Sequence, residues 1–119
     1  MRRTILTTIL LASITWCHGQ TKEQVAAELA RQGVPCANIV LAQARLETGN
    51  FTSKMCRERH NLFGIKHHGR YASYPNWRES IADYKRSISS RYTGGDYYAF
   101  LRRIGYAKDP KYIQKLKQF

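Results

Sequence analysis

Ile39-Val40-Leu41-Ala42-Gln43-Ala44-Arg45-Leu46-Glu47-Thr48-Gly49 is a mostly apolar run that ends on a carboxylate. Ile39, Gln43, Leu46 and Glu47 recur at helical spacing, and Gly49 is a natural C-terminal stop. The spacing predicts a helix with Glu47 in its last turn. Burying an acid at the end of an apolar face disfavours its charged form. A carboxylate kept there suits a group that must hold a proton near neutral pH and donate it. The competing reading is an ion pair, with Arg45 the adjacent candidate.

Outward from this helix the chain reads as one mostly helical α+β domain. Upstream, Thr21-Lys22-Glu23-Gln24 is a capping box opening a helix with Val25, Ala26 and Leu29 on one face, and Gly33 and Pro35 end it. Downstream, Phe63-Gly64-Ile65-Lys66 and Tyr71-Ala72-Ser73-Tyr74 flank His67-His68-Gly69-Arg70, which predicts a short β-hairpin. Both histidines read as a solvated turn. Asn76 and Glu79 cap a further helix with an apolar stripe of Trp77, Ile81, Tyr84 and Ile88, broken by Gly94-Gly95. Asp96 opens a helix carrying Phe100, Leu101 and Ile104, and Asp109-Pro110 caps the last one, with Ile113 and Leu116 inward.

The 119 residues have room for a single domain. Arg2 and Arg3 followed by an apolar stretch from Ile5 to Ile14 read as a secretory signal over residues 1–19, with the domain over 20–119. That apolar stretch is too short to span a bilayer, which needs about 20 residues. Trp16 is bulky where a lipoprotein signal ending at Cys17 would want a small residue. Without the two leader arginines, the 20 basic and 8 acidic residues still leave a mature domain near about +10. Such a charge implies a polyanionic partner. Secretion argues against nucleic acid and points to cell wall, whose peptide stems carry free carboxylates. On this reading the charge aids association with the wall without supplying specificity. Cys36 and Cys56 remain after cleavage, an even pair bracketing the Glu47 helix, and predict a disulfide worth about 3 kcal/mol in the chain-entropy model. No CxxC spacing supports a metal site.

Four ordered blocks carry a resemblance: "AQARLETG" at residues 42–49, "NLFGIK" at 61–66, "NWRESI.DY" at 76–84 and "GYAKDPKY..KL" at 105–116. Together they resemble the family 73 glycoside hydrolases, bacterial endo-β-N-acetylglucosaminidases that cut peptidoglycan glycan strands. The resemblance runs from about Thr21 to the C-terminus. It implies a lysozyme-like fold with the hairpin as a small lobe across a cleft from Glu47, and no cofactor or metal. By resemblance Glu47 is the general acid. Asn61 and Phe63 line the cleft floor, Tyr71 lies on the hairpin, and Tyr106 faces the reacting sugar from the opposite side. Lys108 stands where the family usually has Thr.

Glycoside cleavage needs an acid plus something to intercept an oxocarbenium-like sugar. Many relatives carry a second acid on a longer hairpin lobe, but between Ile65 and Asn76 this chain has none. Glu58 and Asp83 are the nearest remaining carboxylates, and Asp83 has a competing reading as a tie to Arg59 or Lys66. The absence favours assistance by the substrate's own 2-acetamido group, with inversion through Glu58 or Asp83 as the rival. The expected function is a secreted or periplasmic peptidoglycan hydrolase cutting after N-acetylglucosamine. The alternatives are a lytic transglycosylase or muramidase, and a catalytically weak wall-binding module.

Overall fold

The computed structural model describes residues 19–119, so all but the last residue of the expected leader lies outside the described residues. Its elements are α1 (Lys22–Arg31), α2 (Ala37–Thr48), α3 (Lys54–Arg59), β1 (Lys66–His67), β2 (Arg70–Tyr71), α4 (Trp77–Ser87), a 3-10 turn (Ser89–Arg91), α5 (Tyr97–Arg103) and α6 (Tyr112–Leu116). This is the mostly helical α+β architecture read from the sequence. No helix of the described residues is long and apolar enough to cross a membrane.

The caps follow the sequence closely. Thr21 Oγ1 accepts from the Gln24 amide at 3.1 Å while Gln24 Oε1 accepts from the Thr21 amide at 2.9 Å, a reciprocal capping box. Asn76 accepts from the Glu79 amide at 3.2 Å, and Asp96 from the Tyr98 amide at 3.0 Å. Asp109 sits ahead of α6, accepting from the Lys111 amide at 2.9 Å and from Lys115 Nζ at 2.7 Å. Gly49 ends α2 in the left-handed conformation, its amide bonded to the Arg45 carbonyl.

The core is one cluster in which α2 packs between α1 and α6, and α1 also meets α4. The inward face of α2 differs from the predicted one. Val40, Gln43, Ala44 and Thr48 are buried, while Ile39, Leu46 and Glu47 are half-buried at its edge. The reason is tertiary: neighbours on two sides of α2 rotate the buried stripe toward the smaller side chains. Gln43 is fully buried and joins three helices. Its amide donates to the Tyr112 hydroxyl at 3.2 Å, its carbonyl accepts from the Tyr84 hydroxyl, and Tyr84 and Tyr97 share a hydrogen bond of 2.7 Å.

Two ion-pair anchors hold the outer elements. Glu28 of α1 pairs with Arg31 and lies 3.5 Å from Arg78 of α4. The Arg31 hydrogen bond leads the effects that draw the Glu28 carboxyl down to about 2. Asp83 of α4 reaches the hairpin: His67 Nε2 lies at 2.7 Å and the Tyr74 hydroxyl donates at 2.6 Å, with Arg86 at 3.1 Å. His67 is therefore a tether rather than a solvated turn residue. Asp83 ties its helix to His67, Tyr74 and Arg86, not to Arg59 or Lys66.

The predicted disulfide is corrected. Cys36 and Cys56 are separate thiols. Cys36 caps α2 and its sulfur lies 3.8 Å from the Tyr92 hydroxyl, whereas the Cys56 sulfur accepts from Gln20 Nε2 at 3.0 Å. Bracketing the same helix directs the two side chains to different neighbours, because α2 itself separates its own ends.

Candidate active site

The segment after α3 is built around one side chain. Asn61 is fully buried and all its hydrogen-bonding capacity is used by backbone. Its amide donates to the carbonyls of Ile65 at 2.9 Å and Ala72 at 3.0 Å, and its carbonyl accepts from the amides of Phe63 at 3.3 Å and Ile65 at 3.1 Å. Asn61 thus clamps the 61–65 loop to the hairpin and does not line the cleft. The hairpin itself is tight, with Lys66 opposite Tyr71 and His67 opposite Arg70. His68 and Gly69, both at positive φ, form the two-residue turn that suits the strand twist.

The clamp brings Phe63 and Gly64 against the end of α2. A cleft of about 530 Å³ opens there, lined by Glu47, Phe63, Gly64, Ile65, Ile88, Ile104 and Tyr106, with Lys66, Arg91 and Lys108 among its polar lining. Gly64 has φ +66°, and a Cβ on it would lie 3.3 Å from Glu47 Oε1. The loop backbone therefore covers the carboxylate at a distance that only glycine permits without displacement. A glycine inside a short strand-like run is a sign of close backbone approach, and this is the sequence signal that would have singled out Gly64.

Glu47 takes part in no ion pair among the described residues, for Arg45 turns instead to Asn50 Oδ1 at 2.8 Å and stacks near the Phe119 ring. Burial raises its carboxyl above the ordinary range, while the nearby Tyr112 hydroxyl pulls in the opposite direction. Tyr106 donates its hydroxyl to the Phe63 carbonyl at 3.1 Å, which fixes the ring against that loop. Burial first, then Tyr112 and Glu47, hold the Tyr106 phenol well above its usual value, so it stays neutral. Phe63 is buried at the cleft floor and packs on Tyr84 with ring centroids 4.4 Å apart.

The remaining sequence-derived candidates lie elsewhere. Tyr71 is exposed on β2, beyond the cleft lining, with Lys66 Nζ 4.8 Å from its ring centre. Glu58 is exposed on α3 and does not line the cleft. Asp83 is buried under the hairpin. Burial acts to raise its carboxyl, but the Tyr74 and His67 hydrogen bonds outweigh it and hold the group below its ordinary value. Glu47 is the single acid of the lining among the described residues. The structure thus gathers Glu47, Phe63 and Tyr106 and disperses Asn61, Tyr71, Glu58 and Asp83. Tyr112, which sequence reasoning did not single out for the site, is close enough to Glu47 to act on its carboxyl, and its hydroxyl accepts from Gln43 at 3.2 Å.

An unpaired, desolvated carboxylic acid beside a neutral phenol can donate and retrieve a proton in an open cleft, which is the requirement of glycoside cleavage. Neither the curated proteins nor the solved structures give a match to this chain. The glucosaminidase family model, described as mannosyl-glycoprotein endo-beta-N-acetylglucosaminidase, matches residues 22–119, and the chain belongs to that family of glycosidases.

Proposed function

We propose that this protein is a secreted or periplasmic peptidoglycan hydrolase that cuts the β-1,4 bond after N-acetylglucosamine, with Glu47 as general acid and then general base. The observation that carries the reading is Glu47 itself: a cleft carboxylate with no cationic partner among the described residues and a carboxyl raised by burial. Membership of the glucosaminidase family supports the sugar, and the signal-like start and basic charge support the wall as its setting.

The second catalytic group is the substrate's 2-acetamido oxygen. Among the described residues the lining holds no acid besides Glu47, and inversion would need a partner carboxylate about 6.5–9.5 Å away with room for water. Glu47 protonates the glycosidic oxygen as the acetamido oxygen bonds to C1 and the leaving sugar departs. Glu47, now a carboxylate, takes a proton from water as that water attacks C1, which restores the acetamido group and retains the anomeric configuration. The Tyr106 hydroxyl already donates to Phe63, so its oxygen is available to accept from the N-acetyl N–H.

Digestion of purified peptidoglycan, with products reduced by borohydride and read by mass spectrometry, tests the assignment. N-acetylglucosaminitol ends from the wild type, reduced about 10²–10⁴-fold in Glu47→Gln, are expected. Muramitol or anhydro-muramic ends would assign a muramidase or lytic transglycosylase. Wall binding by both proteins without fragments would assign a binding module. An α-anomer as the first product, followed by NMR, would overturn the acetamido route.

A further inference from the structure

Three cations surround the cleft: Lys66 from β1, Arg91 from the 3-10 turn and Lys108 from the loop before α6. All three are exposed, and none makes an ion pair among the described residues. Lys66 is positioned by the Tyr71 ring. The contrast with the cavity behind α4 is informative. That one, of about 510 Å³, also carries two cations, but Lys85 donates to the Gln32 carbonyl and Arg86 pairs with Asp83, so both already have partners. Three like charges brought to one cleft from separate segments repel one another until an anion arrives. A glycan of neutral sugars offers them nothing.

We infer that Lys66, Arg91 and Lys108 form a carboxylate-reading rim that selects glycan strands bearing peptide stems with free carboxylates over neutral N-acetylglucosamine polymers. The inference rests on the glycan-cleft reading above and deepens it. The charge of the domain then supplies specificity as well as association, and Lys108, in place of the family's usual Thr, is part of the selecting rim. Stems projecting from the N-acetylmuramic acid sugars that alternate with N-acetylglucosamine along the strand bring their carboxylates to the rim while the sugar backbone lies over Phe63 and Tyr106.

Binding of soluble stem-bearing strands to Glu47→Gln protein, with free carboxylates or with the same carboxylates converted to methyl amides, tests this without hydrolysis. Amidation is expected to weaken binding by about tenfold or more. The added triple change Lys66→Gln, Arg91→Gln and Lys108→Gln is expected to bind both forms alike, with an unaltered melting temperature showing that it folds. Lys108→Thr alone is expected to remove part of the preference. Equal affinity for free and amidated strands, a preference that survives the triple change, or no measurable binding of free-carboxylate strands overturns the inference. So does a loss of binding after hydrofluoric acid strips wall-polymer phosphates while amidation has no effect, which would assign the rim to phosphate. Failure of the hydrolase reading is separate: the wild type would release no fragments, whatever the carboxylate preference.

Discussion

At the scale of single residues, Glu47 and Gly64 are one unit. A carboxyl raised by burial favours the folded state only while protonated, so its contribution is present below about 4.5 and is lost as pH rises through the higher folded value. Glu47→Gln should therefore melt above the wild type at pH 7, with the gain vanishing near pH 4. Melting curves at both pH values check it, and a gain larger at pH 4 would contradict the burial argument. Gly64→Ala places a methyl 3.3 Å from Glu47 Oε1 on a backbone at φ +66°. It should lower stability by about 1–2 kcal/mol and cut kcat further than that loss alone explains. Turnover measured well below the melting temperature separates the two effects. The carboxylate was legible from its place at the end of an apolar helix. The glycine was legible only as a point of close backbone approach, because nothing local says which side chain a loop backbone will touch.

The hairpin and α4 belong to the scale of elements. Two residues per strand cannot hold a hairpin in water unaided, and here the Asn61 clamp and the Asp83 anchor supply the rest. Asp83→Asn should destabilise the domain by about 1–3 kcal/mol by weakening the His67 and Tyr74 hydrogen bonds. The sign with pH is opposite to that of Glu47. Because Asp83 is held below its ordinary value, its contribution is present above about 3.8 and is lost as pH falls through the folded value. The stability difference between wild type and variant should thus be full at pH 6 and shrink toward pH 3, which denaturant titrations at the two pH values would show. The hairpin was legible from His68-Gly69 between strand-like runs. Its anchor was not, since Asp83 is 16 residues from His67 and looked equally suited to catalysis.

Across the whole molecule, Gln43 unites chain segments 41 and 69 residues apart by bonding Tyr84 and Tyr112 beneath the cleft floor. Gln43→Leu removes partners from two buried hydroxyls and should destabilise the fold by about 1–3 kcal/mol, read as a shift of the urea midpoint. The loss should exceed that of Tyr84→Phe, since Tyr112 also loses its partner. The helices other than α3, the caps, the hairpin turn and the acid at the end of α2 were determined by the sequence alone, because each rests on residues within one or two turns of one another. The basic segment of α3 (Lys54–Arg59) reads as irregular from the sequence, yet folds as a helix capped by Ser53. What only the tertiary structure decided was partnership. Asn61 became a clamp instead of a cleft residue, Asp83 an anchor instead of a base, Cys36 and Cys56 separate thiols, and Lys66, Arg91 and Lys108 neighbours. Each of these depends on which distant segments meet across the core, and spacing along the chain carries no information about that distance.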